Sequence, residues 1–206
     1  MRLAMVRGTS HKARAHARIV AAAARAFRAK GAERVTIAEV MGEAGLTHGA
    51  FYAHFPNKEA LLAEAAVSGI MDAQRAFVAD SAAAQPEDPL REIIRRYVSR
   101  SHRDNPGDGC AMPALTAEIA REPDEVRRAY TVAFENFITQ LMDYTPGATE
   151  EARRDAALTL AAGMAGAVAL SRAIADPALS DRILLATRRF FTDTLSPSSA
   201  AEDGAI

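Results

Sequence analysis

Tryptophan is absent from this 206-residue sequence, and cysteine occurs once, at Cys110. A single thiol excludes an intrachain disulfide framework and any zinc site built on cysteines. Aromatic residues contribute only 6% of the chain, so its core has to be built largely from aliphatic side chains and alanine. No apolar run has the length of a membrane span. Ala156 to Ser171 lacks a charged side chain but covers 16 residues, short of the roughly 20 a spanning helix needs, and it is rich in Ala and Gly. A helix buried against protein is expected there. No apolar stretch of the secretory type follows the basic N-terminus, so the expected location is cytoplasmic, without a membrane partner. No strand-like alternation occurs anywhere, and the abundance of alanine favours helix. The expected fold is all-α.

Charge is also unevenly placed. Residues 1–58 carry ten Lys or Arg against three acids (Glu33, Glu39 and Glu43), whereas the remainder carries fifteen against twenty-three. A basic head on an acidic body points to a polyanion at the head.

Periodicity and punctuation predict about nine helices. The first runs from about Ser10 to Lys30, with Ile19, Ala23 and Phe27 on one face, Arg14, Arg18, Arg25 and Arg28 mostly elsewhere, and Gly31 as its stop. Thr36-Ile-Ala-Glu39 is a capping-box pattern opening a short helix. Gly45 supplies a turn residue that tolerates positive φ, Thr47 is a second candidate N-cap, and Pro56 closes the helix that follows. A long helix is expected from Asn57 to about Asp80, then a linker at 85–89 and a helix carrying Leu90, Ile93, Ile94, Tyr97 and Val98. The loop 105–109, a helix over 112–121, and a helix after Pro123 with the stripe Val126, Tyr130, Phe134, Phe137, Ile138 and Leu141 come next. Helices over roughly 149–175 and 178–195 complete the body, and the tail from Ser196 reads as disordered.

Two short helices joined at Gly45 have the dimensions of a helix-turn-helix. Four-residue spacing places Phe51 and Phe55 toward the core and turns His48 and Tyr52, with Gly49, the other way. An outward tyrosine beside a histidine and a glycine suits a surface that meets DNA rather than one that stabilises a fold. The segment from Thr36 to Leu62, above all Gly49-Ala-Phe-Tyr-Ala-His-Phe55 and Asn57-Lys-Glu-Ala-Leu61, resembles the signature region of the TetR/AcrR family. With the first helix the resemblance covers roughly residues 12–62, and the nine-helix layout agrees with it.

The resemblance implies a helix-turn-helix DNA-binding domain over 1–58, a ligand-binding and dimerisation domain over 59–196, and a tail over 197–206. It implies that Thr47, His48 and Gly49 face base edges and that Thr36, Tyr52, His54 and Lys58 contact phosphates, with Arg2, Arg7, Lys12 and Arg14 adding attraction without readout. It also implies a cavity in the body for a small-molecule effector, for which Tyr97, Cys110, Met112, Tyr130, Phe134 and Phe137 are candidate linings. The Ala/Gly run with Gly163 and Gly166, together with Ile183, Phe190 and Phe191, is a candidate two-fold helix interface, the competing reading being an intrachain core helix. The implied function is a homodimeric regulator, a repressor released from a pseudo-palindromic DNA operator by its effector. A ligand-independent DNA-binding protein and a helical enzyme are the alternatives.

Other clusters point elsewhere. His11, His16, His48 and His54 lack metal-ligand spacing, and no cofactor or metal motif occurs. Ser101, His102 and Asp104 are too close in sequence for a hydrolytic triad, so no catalytic residues are assigned and the chain is not expected to be an enzyme. Cys110 has two readings: a small buried residue, or a thiol sensor activated by His102 or Arg103.

Overall fold

The computed structural model describes residues 11–83 and 87–196. Arg2, Arg7, part of the expected linker at 85–89 and the expected tail over 197–206 lie outside them. Every regular element among the described residues is helical, without a strand. The head comprises α1 (His11–Lys30), α2 (Ile37–Glu43) and α3 (His48–Ala53), the last wound as a 3₁₀ helix. The body follows as α4 (Lys58–Ala73), α5 (Pro89–Tyr97), α6 (Arg100–Asp104), α7 (Met112–Ile119), α8 (Asp124–Met142), α9 (Glu150–Ala173) and α10 (Pro177–Leu195).

Local chemistry explains most boundaries. Gly31, at φ 82°, ends α1 and returns its amide to the Phe27 carbonyl at 2.8 Å. Asp88 caps α5 through Arg91 N at 2.9 Å, Thr149 caps α9 through Ala152 N at 3.1 Å, and Asp176 caps α10 through Ala178 N at 2.8 Å. Proline occupies the first turn of α5 and α10, where a missing amide proton costs nothing.

Two departures from the sequence reading matter. The long helix does not run uniformly to Asp80: after Ala73 it loosens into a π-helical stretch, Gln74–Ala79, before a last α turn at Asp80–Ala83. The helix carrying Tyr97 also breaks at Val98 (φ −87°, ψ 71°), and Ser99 restarts it as α6 by capping His102 N at 3.1 Å. That break frees the Tyr97 carbonyl, which accepts a hydrogen bond from His102 Nδ1 at 2.8 Å. Ser101, His102 and Asp104 therefore belong to a short helix of their own.

One apolar core runs through head and body. Ile19, Phe27, Val40, Met41 and Phe51 connect through Leu61 and Ile70 to Ile93, Tyr97, Leu115, Phe137, Leu160 and Met164. The expected boundary at 58–59 falls in the first turn of α4, which packs along α1 and carries the core across it.

α9 has two distinct faces. Ala157, Leu160, Ala161, Met164, Ala167 and Val168 are buried in the bundle, while Gly166 and Leu170 are exposed. By length and composition α9 could cross a membrane, but its buried stripe is packed against α7, α8 and α10. The five candidate interface residues separate accordingly. A Cβ at Gly163 would lie 2.3 Å from the Phe191 ring, so this pair packs within the chain, and Phe191 is buried. Gly166 has nothing within 4 Å, Ile183 is half-buried and Phe190 is exposed.

Candidate nucleic-acid interface

The turn of the head is built from both sides. Thr36 Oγ1 accepts from Glu39 N at 3.2 Å while Glu39 Oε2 accepts from Thr36 N at 2.9 Å, completing the capping box. Lys30 reaches Glu39 Oε1 at 3.0 Å. The Thr36 amide and the Lys30 ammonium together hold the Glu39 carboxyl below its ordinary range. At the far end Gly45 takes φ 66°, and Leu46 N returns to Met41 O at 2.8 Å. Arg18, from α1, donates to the Ala44 carbonyl. A Cβ at Gly45 would sit 2.5 Å from that guanidinium, so glycine is required by both the backbone angle and the arginine.

The segment after the turn shows two faces. Phe51 and Phe55 are buried, stacked with ring centroids 5.7 Å apart, and Phe55 is stacked in turn on His16 at 4.6 Å. Tyr52 meets the edge of Phe51 at 5.2 Å yet is 64% exposed, so its ring is braced at the base while its hydroxyl projects outward. His48, Gly49 and Thr47 are exposed beside it, and a Cβ at Gly49 would meet nothing within 4 Å. Thr47 has the extended backbone of an N-cap, but its side chain makes no capping bond. The i→i+3 bonds of α3, such as Ala50 N to Thr47 O at 3.0 Å, use the backbone and leave the Thr47 hydroxyl at the surface.

His54 turns partly inward. Its ring centroid lies 5.8 Å from that of His16, and its Nδ1 is buried without a hydrogen-bond partner. Burial first, then the proximity of His16 and Lys12, lowers its proton affinity. Lys58 stands in the first turn of α4, its Nζ 3.4 Å from Glu33 O, next to Asn57, which caps that helix through Ala60 N at 2.8 Å. Lys12, Arg14 and Arg34 are exposed.

The structure narrows the meaning of the basic head. Besides Arg18, Arg25 pairs with Asp108 at 2.6 Å, and Arg28 gives Nε and Nη2 to the Gly107 carbonyl at 3.0 and 2.6 Å. Much of the positive charge on α1 is thus engaged with the head's own turn or with the body. Sequence periodicity separates these arginines from the apolar face but carries no information on their distant partners.

The six candidate effector-site residues come together in the body without enclosing an open cavity. Tyr97, Cys110 and Phe137 have no accessible surface and Met112 has almost none, so no water-sized void lies against them; Tyr130 and Phe134 are half-buried. Tyr130 shares a hydrogen bond with Thr116 at 2.7 Å, and burial pushes its hydroxyl up to about 12. Phe77, on the π-helical stretch, packs on Tyr97 at 5.0 Å and on His102 at 4.7 Å. His102 donates through Nδ1 to Tyr97 O and accepts the Cys110 amide on Nε2 at 2.9 Å, an arrangement only the neutral ring can adopt. Burial lowers its pKa to about 4 and raises the Cys110 thiol to about 11. A neutral imidazole cannot stabilise the thiolate, so the structure favours the buried reading of Cys110 over the sensor.

The sequence profile described as bacterial regulatory proteins, tetR family, matches residues 19–65, from α1 into the first turns of α4. The HTH-type transcriptional regulator YerO of Bacillus subtilis is 31% identical over 118 residues, covering 55% of this chain and 39% of YerO. The HTH-type transcriptional regulator TtgR of Pseudomonas putida is 46% identical over 59 residues, 28% of each chain. The matched stretches therefore span well under half of these curated relatives. The crystal structure of a TetR-family transcriptional regulator from Cytophaga hutchinsonii shares the fold over 93% of this chain and 100% of its own, at a TM-score of 0.72 and 20% identity. Reduced NemR of E. coli does so over 90% and 98%, at 0.70 and 16%. The profile falls on the segment whose caps, turn and two-faced helix are described above, so residues 19–65 carry the region that defines the tetR family of bacterial regulatory proteins.

Proposed function

We propose that the protein is a cytoplasmic, homodimeric, DNA-binding transcriptional regulator whose operator affinity is set by a small ligand in the body. The observation that carries this reading is the exposed face of α3. Thr47, His48, Gly49 and Tyr52 project from a segment clamped from behind by Phe51 and Phe55, and such a rigid, polar, protruding edge fits a major groove. Thr47, His48 and Gly49 would read base edges. Thr36, Tyr52 and Lys58 would hold phosphates, with His54 limited to its outward edge and Lys12 and Arg14 adding attraction.

Two heads are needed to read two half-sites about 34 Å apart. The exposed Leu170, Leu179, Leu185 and Phe190, with the open backbone at Gly166, make α9 and α10 the candidate two-fold surface. Gly163 and Phe191 support that surface from inside the chain. By analogy with the family the regulator is a repressor, released when ligand shifts the population of head separations.

Selection of bound fragments from a random DNA pool, followed by anisotropy titrations, tests the reading. Tyr52→Phe is expected to weaken binding to every sequence alike, and His48→Ala to change the order of preference. Wild-type protein that selects no sequence overturns the proposal.

A further inference from the structure

Two arginines and a tyrosine in the body leave hydrogen-bond donors buried and unanswered. Arg172, near the end of α9, gives Nε to Arg103 O at 3.0 Å and Nη2 to His102 O at 2.6 Å, while its Nη1 is buried without a partner. Arg28, only 8% exposed, spends Nε and Nη2 on Gly107 O, and its Nη1 is likewise buried without a partner. The Tyr97 hydroxyl, on a fully buried ring, has only the weakly accepting Cys110 thiol as a polar side-chain neighbour, outside normal hydrogen-bond geometry.

These groups surround one short loop. A Cβ at Gly69 would be 2.5 Å from Arg28 Nη1 and 2.9 Å from Ala111 Cβ, which places that guanidinium beside the chain just after Cys110. A Cβ at Gly109 would lie 2.6 Å from His102 Nε2 and 3.5 Å from Arg172 Nη2, which places the second guanidinium on the other side. The charge of Arg172 acts on Tyr97 and Cys110, and that of Arg28 acts on Cys110.

No described residue balances this charge by direct bonding. Among the described residues neither arginine forms an ion pair; Asp72 and Asp108 act on Arg28, and Asp104 on Arg172, only through space. The imidazole of His102 has both nitrogens occupied, and the Cys110 thiol stays protonated. Burying a guanidinium whose partners are all backbone carbonyls is costly, and an acceptor carrying negative charge would offset that cost.

We infer that the effector is an organic anion, its acidic group received by the Tyr97 hydroxyl and Arg172 Nη1, with Arg28 Nη1 completing the field across the Cys110–Ala111 backbone. The inference rests on the ligand-responsive reading above and names the chemistry of that ligand. Phe77, half-buried on the π-helical stretch, packs on Tyr97 and His102; since no void lies against Tyr97 in this closed packing, the inferred site forms when Phe77 moves aside and the anion takes its place beside the hydroxyl. Because Arg28 belongs to α1 and also holds Gly107, an anion that draws its guanidinium alters the contact between head and body.

The test measures thermal shifts and calorimetric binding with straight-chain and aromatic carboxylates (acetate through decanoate, benzoate, salicylate) and the matching neutral amides, at fixed ionic strength. Wild-type protein is expected to bind at least one carboxylate about tenfold or more tighter than its amide. Tyr97→Phe removes a buried hydroxyl whose one side-chain neighbour is the weakly accepting Cys110 thiol, so the ligand-free variant is expected to melt near or above wild-type temperature while losing most of that preference. A merely structural tyrosine would instead lower the melting temperature and leave the preference intact. Equal response to acids and amides, or no response to either, overturns the anion site, as does Tyr97→Phe binding like wild type. A carboxylate that binds through Tyr97 without changing DNA affinity keeps the anion site and overturns only the effector reading.

Discussion

Acidification should weaken this fold through one side chain, His102, by an amount that follows from its bonds. Buried between Tyr97 O and the Cys110 amide, the ring has one nitrogen that donates and one that must accept. Protonation would turn Nε2 toward another N–H group and place a third positive charge near Arg172 and Arg28. Burial first, and those two arginines next, bring its pKa down to about 4, against an opposing pull from Tyr97 O. The unfolded chain, with an imidazole near 6.5, takes up the proton before the native state does. Stability is therefore whole above about pH 6.5 and falls as pH drops toward about 4. From the two pKa values the loss is roughly 2 kcal/mol at about pH 5, and approaches roughly 3 kcal/mol near pH 4. Urea titrations at about pH 7.5 and about pH 5, at one fixed protein concentration, measure it in wild type and in His102→Gln. Glutamine can accept the Cys110 amide but does not titrate. The variant is expected to be less stable at neutral pH yet to lose roughly 2 kcal/mol less on acidification. The carboxylates held low by arginines, such as Asp104 and Asp181, lose their pairing in both proteins and cancel in the comparison. A His102 ring that titrates near 6.5 by NMR, or equal acid sensitivity in the two proteins, would refute the reasoning.

Three further outcomes follow from the same geometry. Gly163→Leu is expected to disrupt the fold itself, because the side chain would enter the Phe191 ring; Gly166→Leu should keep native helicity and instead shift sedimentation toward monomer, and unchanged dimer mass would count against the α9–α10 surface. Thr36→Ala should cost about 1 kcal/mol in chemical denaturation by removing one half of the capping box, and a negligible change would show that α2 is held by packing alone. Cys110 should react with a thiol reagent only at the rate of unfolding, since it is fully buried and its pKa is raised to about 11; rapid labelling of the native protein at neutral pH would restore the sensor reading.

The all-α class, most of the helix order, the capping box at Thr36, the turn at Gly45 and the opposed faces of the Phe51 segment were legible in the sequence, whereas the π-helical stretch after Ala73 and the separate α6 were not. Each legible feature depends on interactions within about four residues, through backbone sterics, caps and helical periodicity. The family profile falls on the same stretch, where the helix-turn-helix is short and locally encoded. The tertiary structure decided what the longer-range side chains do. Arg18 closes the turn and Arg28 enters the body, although on a helical wheel both are simply charged positions. His102 became a neutral staple because a break at Val98 exposed one carbonyl and a loop eight residues on supplied one amide. Gly163 and Gly166 are three residues apart, yet one lies beneath Phe191 and the other is open. Such roles depend on which distant atom stands opposite, and that follows only from how the helices pack.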